Sequence, residues 1–95
     1  MMIEIIDKSG RKMHLSKERW RHIRKKHPEV EDLEQIKETI ENPDKITEYS
    51  FDEDVHYHYK FYKNTKPSLK YLLVIVKYLN NSGYIISAYF KSYIK

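Results

Sequence analysis

The spacing of apolar residues along the chain changes character near residue 44, and that change divides the sequence into two halves. Ile3-Glu4-Ile5-Ile6 reads as a short strand, Asp7-Lys8-Ser9-Gly10 has turn chemistry, and Met13-His14-Leu15 can pair back as a second short strand. Ser16 is suited to an N-cap, with Glu18 in the first turn where it favours the helix dipole. Trp20 and Ile23 then recur at helical spacing, with His27 on the same stripe, which predicts a helix to about Lys26 anchored by Trp20. His22 and Lys26 share a more polar face. His27 precedes Pro28, and a residue before proline avoids the helical region, so His27 should close this helix. Pro28 suits the first turn of a next helix. Its apolar stripe would be Val30, Leu33, Ile36 or Lys37, and Ile40, with Asn42-Pro43 as the stop.

Beyond that point the period falls to two. Residues 45–50 read as a strand, Asp52-Glu53-Asp54 as an acidic turn, and residues 55–63 as a strand with strong alternation. Val55, Tyr57, Tyr59 and Phe61 share one face; His56, His58, Lys60 and Tyr62 share the other. A turn at 64–68 contains Pro67, residues 71–79 form a nearly continuous apolar run suited to a central strand, and Asn80-Asn81-Ser82-Gly83 is a hairpin signal before a return strand at 84–92. With Leu79 opposite Tyr84, Leu73, Ile75, Ile86, Ala88 and Phe90 would meet the helices. Lys77 would then fall on that apolar face, while Ser87, Tyr89 and Lys91 would project from the other. The expected class is α+β: two N-terminal helices packed on one face of a mostly antiparallel sheet of four or more strands, in one domain over residues 1–95.

Charge sharpens this picture. Residues 1–30 carry nine Lys/Arg against four Asp/Glu, residues 31–54 two against ten, and residues 55–95 seven lysines and no acid, within a net charge of +4. Basic surface concentrated on part of a small domain is the electrostatic footprint of a polyanion binder. There is no cysteine, hence no disulfide or thiolate metal site, and no apolar run approaches the ~20 residues of a membrane helix. The short acidic N-terminus lacks the pattern of a signal peptide, which points to a cytoplasmic protein without membrane contact.

The chemistry-bearing residues cluster around residues 20–29, Trp-Arg-His-Ile-Arg-Lys-Lys-His-Pro-Glu. A side chain at a corner between two helices is held firmly yet can reach solvent, which suits His27 to catalysis or, equally, to capping its neighbours. His56 and His58 point the same way from a strand, but they lack an obvious third ligand, and Lys60 on that face would repel a cation; no metal or other cofactor is assigned. The nine tyrosines suit either half-buried strand positions or a stacking platform for single-stranded nucleic acid.

The pattern Trp20-x-His22-Ile23…His27-Pro28-Glu29, a tyrosine-rich strand, Leu72-Leu73-Val74-Ile75-Val76-Lys77 and Gly83-Tyr84-Ile85-Ile86-Ser87-Ala88-Tyr89 together resemble the phage-type nucleases of the barnase–EndoU–colicin–RelE superfamily, from about Leu15 to the end of the chain. The resemblance implies an α+β fold and metal-independent RNA cleavage. By resemblance His27 matches the motif histidine, Lys77 a lysine ending the central strand, and Ser87 and Tyr89 a hydroxyl and an aromatic on the last strand. No arginine follows Arg24, so the phosphate contact that such proteins often give to arginine falls to a lysine or to the first helix.

Transesterification of RNA needs a base for the 2′-hydroxyl, an acid for the leaving oxygen and cations for the phosphate. Histidine as a residue type titrates near ~6.5 and suits either proton role. The expected catalytic set is His27, Lys77, Ser87, Tyr89 and His58, with His27 and Lys77 at one corner. The expected nucleic-acid contacts are His22, Arg24, Lys26, Lys60, Tyr62 and Lys91. RNA is the expected partner; an antitoxin or inhibitor protein is implied by resemblance alone. Two other functions fit the same residues: a non-catalytic nucleic-acid-binding module, and an interaction domain that docks a basic partner through the acidic segment 31–54.

Overall fold

In the computed structural model, residues 2–63 and 66–94 are described. A hairpin of β1 (Met2–Ile6) and β2 (Lys12–Ser16) leads into α1 (Lys17–Lys26) and α2 (Leu33–Glu41). The strands β3 (Lys45–Tyr49), β4 (Asp52–Phe61), β5 (Tyr71–Leu79) and β6 (Ser82–Lys91) follow, with a single 3-10 turn at Pro67–Leu69 before β5. The expected turn at 64–68 lies partly outside the described residues.

The α+β class stands, but the expected arrangement of the sheet and helices does not. The six strands lie in the order β1-β2-β6-β5-β4-β3. Every neighbouring pair is antiparallel except β2 and β6, which run parallel through Lys12↔Ser82 to His14↔Tyr84, so the sheet is mixed. The helices are not N-terminal either: they are inserted between β2 and β3, after a hairpin that completes the far side of the sheet. Burial drives this placement. Met13 and Leu15 are fully buried, which β2 achieves only by lying beside β6. Gly83 permits the approach, because a Cβ there would run into the Met13 sulfur.

The second helix begins at Leu33 rather than at Pro28. Asp32 is its N-cap and forms a capping box with Gln35, a stronger start signal than proline alone. Residues 27–30 instead form a turn closed by the Val30 N–H donating to the His27 carbonyl at 3.0 Å. Pro28 occupies the second position of that turn, where its fixed φ is favourable.

The two sheet faces divide the work. Leu72, Val74 and Val76 of β5 join Ile85 and Ala88 of β6 and Ile23, Ile36 and Ile40 of the helices in one core. Each fully buried aliphatic side chain there contributes roughly 1.5–3 kcal/mol. Helix α2 packs on β5, β4 and β1; α1 packs on β6 and β2. Leu73, Ile75 and Lys77 alternate onto the opposite face, together with Tyr57 and Tyr59 of β4 and Ser87, Tyr89 and Lys91 of β6.

The β5–β6 register differs from expectation. Asn80 and Asn81 both take positive φ, 52° and 68°, and form a two-residue turn that places Leu79 opposite Ser82. Lys77 therefore faces Tyr84, away from the helices. A register shift between Ile75 and Val76 then absorbs one extra residue of β6, so that Ser87 lies opposite Ile75 and Tyr89 opposite Leu73. Ala88 and Phe90 thus meet the helical side as expected, while Leu73 and Ile75 do not.

Candidate active site

Helix α1 ends at His27 as the sequence predicts. Ser16 caps its start by accepting from the Arg19 N–H at 3.1 Å, and the His27 N–H closes its end on the Ile23 carbonyl at 2.7 Å. The β2–β6 ladder runs only to Tyr84, and the end of α1 reaches the second sheet face, where the His27 ring stacks on Tyr89 with centroids 5.1 Å apart and planes 28° from parallel. The turn after His27 brings Glu29 back, so that its Oε1 lies 3.6 Å from His27 Nδ1. That is ion-pair distance, longer than a hydrogen bond. Nδ1 is thus the nitrogen turned to the carboxylate. Both side chains are half-buried, each 29% exposed, so the pair is ordered yet accessible.

Arg24 holds this corner in place. Its Nη1 donates to the carbonyls of Pro28 and Val30, both at 2.7 Å, tying the last turn of α1 to the segment that carries His27 and Glu29. Arg24 was expected to contact nucleic acid; in the structure its guanidinium is engaged by its own turn. His22 and Lys26 are exposed on α1.

Around the histidine the second face is largely phenolic. Burial raises the Tyr89 hydroxyl above its ordinary value, with Tyr59 and Tyr93 nearby adding to the effect. Burial likewise raises Tyr57, reinforced by Tyr49 and Tyr89. Both therefore stay protonated near neutral pH and can donate a hydrogen bond. Ser87 is half-buried on the same face. Lys91 lies two residues beyond Tyr89, with its ammonium 4.7 Å from the Tyr93 ring centre. Of the expected residues, the structure brings His27 onto Tyr89, with Ser87 and Lys91 two residues to either side of Tyr89 on the same face of β6.

Lys77 shares the face but lies four residues along β5 from the row of Tyr89, roughly 13 Å at the rise of a strand. Its ammonium sits 2.9 Å from Asp52 Oδ2. That hydrogen bond raises the lysine and lowers the aspartate from their ordinary values.

The remaining expected residues lie on the helical side. His58 is 2% exposed, with Nε2 3.2 Å from the Tyr78 hydroxyl, which lies 3.4 Å from Asp7 Oδ2. Burial, followed by the charge of neighbouring His56, takes His58 down to about 4, outweighing the opposing pull of Asp7. For Asp7 burial acts to raise the carboxyl, but the Ser9 hydroxyl and the Arg11 amide and charge leave it lowered. The Arg11 guanidinium lies 3.9 Å over the Tyr78 ring, beside a cavity of about 270 Å³. Lys60 donates to the Asn42 carbonyl at 3.0 Å, closing the end of α2 against β4. Tyr62 packs edge-on to Phe90, and burial pushes its hydroxyl up to about 12. Among the described residues, no three His, Cys, Asp or Glu side chains are grouped to hold a metal ion. In the acidic segment, Asp32 caps α2, Asp44 accepts from the Phe61 N–H at 2.7 Å, and Asp52 pairs with Lys77.

Glu29 and Tyr57 are the neighbours that sequence reasoning passed over. Glu29 was visible within the His-Pro-Glu motif, but only the turn shows it folding back. Tyr57 could be placed in the row of Ser87, on the face that carries Tyr89, only once the β4–β5–β6 register was known.

No helix among the described residues is long and apolar enough to cross a membrane. The family model PBECR2, described as phage-Barnase-EndoU-ColicinE5/D-RelE like nuclease2, matches residues 4–95. No curated protein and no solved structure matched the chain.

Proposed function

The chain belongs to the phage-Barnase-EndoU-ColicinE5/D-RelE like nuclease family, and from that premise we propose that it cleaves RNA by acid–base transesterification at His27. The observation that carries this reading is the His27 ring, stacked on Tyr89 with Nδ1 directed at Glu29. Such a pairing orients an imidazole and leaves Nε2 to exchange a proton with substrate. In the first half of the reaction the 2′-hydroxyl loses its proton to a base and its oxygen attacks the adjacent phosphorus. The P–O5′ bond breaks, the departing oxygen is protonated, and a 2′,3′-cyclic phosphate remains. His27 takes one of the two proton roles. Lys91 offers charge to the phosphate, and the Tyr89 and Ser87 hydroxyls offer neutral donors to its oxygens. Lys77, held by Asp52, would meet the polyanion farther along the same face.

The test is cleavage of an end-labelled mixed-sequence RNA in EDTA by the protein and by His27→Ala. Cyclic-phosphate ends from the unsubstituted protein, and their loss in the variant, are expected. RNA binding without cleavage would overturn the catalytic reading in favour of a binding module. Cleavage abolished by EDTA would remove the metal-independent mechanism.

A further inference from the structure

A line of aromatic side chains leads away from His27 across the strands. Tyr57 of β4 shares this face across β5, in the row of Ser87, two residues along from the row of Tyr89. The Tyr57 ring stacks with Tyr49 of β3, centroids 5.8 Å apart at 24°. Tyr49 in turn meets Phe51 edge-on at 5.5 Å. Phe51 is 86% exposed and Tyr49 39%, whereas Tyr57 and Tyr89 are half-buried. Phe51, Tyr49 and Tyr57 line a shallow cavity of about 290 Å³ together with Thr47, Glu48 and Lys91.

A core role does not explain Phe51. A large apolar ring left in water costs solubility, and a monomer retains such a patch mainly where something binds. Charge selects the occupant: Lys91 comes to this cavity from β6, the strand that carries Tyr89, while Glu48 comes from β3, three strands away. An apolar floor with one cation beside the reaction centre suits an unpaired base whose phosphate points back toward His27. Three strand spacings of about 4.8 Å separate β6 from β3, room for two or three stacked bases on a sheet surface.

We infer that Phe51, Tyr49 and Tyr57 form a base-stacking site that takes unpaired nucleotides of an RNA strand next to the phosphate held at His27. This rests on the proposed nuclease reading for the identity of the ligand. A paired base keeps its faces stacked within the duplex, so the site selects single-stranded segments.

The test is fluorescence anisotropy with a 12-nucleotide RNA carrying 2′-O-methyl groups, which cannot be cleaved through its 2′ oxygens, alone and annealed to its complement at fixed salt. The single strand should bind at least about tenfold more tightly than the duplex. Phe51→Ala and Tyr49→Ala should each weaken single-strand binding at least about fivefold, the low end of what stacking one base contributes. Phe51→Trp should bind at least as well as the parent. The exposure of Phe51 makes misfolding an unsuitable explanation for its loss, and an unchanged melting curve checks this. Parent-like binding by both alanine variants, or equal affinity for strand and duplex, would overturn the site and leave the patch to a protein partner. His27→Ala should keep the preference for the single strand over the duplex. If it also cleaves ordinary RNA like the parent while Phe51→Ala binds weakly, the catalytic reading falls and the stacking site stands.

Discussion

His27 and His58 stand on opposite faces of one sheet, and their surroundings give the same imidazole opposite capacities. His58 is enclosed on the helical side, linked to Tyr78 and through it to Asp7, and burial holds it at about 4. It stays neutral near pH 7 and serves the packing of the β1–β2 turn against β4. His27 sits at a helix end on an aromatic ring, with a carboxylate beside Nδ1 and 29% of its side chain exposed. Proton exchange needs access as well as a suitable residue type, and only the second corner supplies it. The lysines divide similarly: Lys60 is fastened to the end of α2, whereas Lys91 lies at the mouth of the aromatic cavity.

The contrast is sharpest under substitution. His27→Ala should lower the rate of RNA cleavage about 10²- to 10⁴-fold, the usual contribution of a general acid or base, with little change in melting temperature. Initial rates with a labelled RNA and a thermal melt measure both sides. Leu72→Ala should do the reverse. Its side chain is fully buried in the core, so unfolding in urea should show a loss of about 2–5 kcal/mol, while cleavage per folded molecule is retained.

Acid should separate the two histidines next. The folded protein holds His58 at about 4 against an ordinary 6.5, so the unfolded chain takes up the proton first. The stability associated with neutral His58 is fully present above about pH 6.5 and falls as the pH drops toward 4. The shift corresponds to roughly 3 kcal/mol. Urea unfolding across this range should show a shallower dependence on pH in His58→Gln; parallel curves would contradict the assignment. Arg24→Ala should have a smaller effect, about 1 kcal/mol of stability from two exposed or partly buried hydrogen bonds, and a several-fold lower kcat with an unchanged KM. Tyr89→Phe, which keeps the ring under His27 and removes only the hydroxyl, should cost least, a few-fold in kcat.

Much of this arrangement was legible in the chain, and the parts that were not have physical reasons. Ser16 and the His27-Pro28 step mark both ends of α1 through local backbone chemistry. The alternation of residues 55–61 separates Tyr57 and Tyr59 from His56 and His58, since one face of β4 differs from the other. By contrast β5 is apolar on both faces, so its sequence carries no alternation from which to orient Lys77. Its register with β6 depends on Asn80 and Asn81 adopting positive φ and on one extra residue of β6, features that periodicity does not encode. Pro28 reads as a helix start, but the capping box at Asp32 starts α2 at Leu33 and leaves Pro28 in a turn. The parallel pairing of β2 with β6 was the least visible element, because it joins segments remote in sequence and only Gly83 marks the contact.

That remote pairing also orders events in time. Residues 12–14 acquire their parallel neighbour only after residues 82–84 have been made, and α1, which follows β2 directly, depends on the same docking for its position. During synthesis the hairpin of β1 and β2 can close early, since it is local, but His27 reaches Tyr89 only when the final strand has left the ribosome and joined the sheet. A nascent chain therefore carries His27 long before that side chain meets the ring it stacks on.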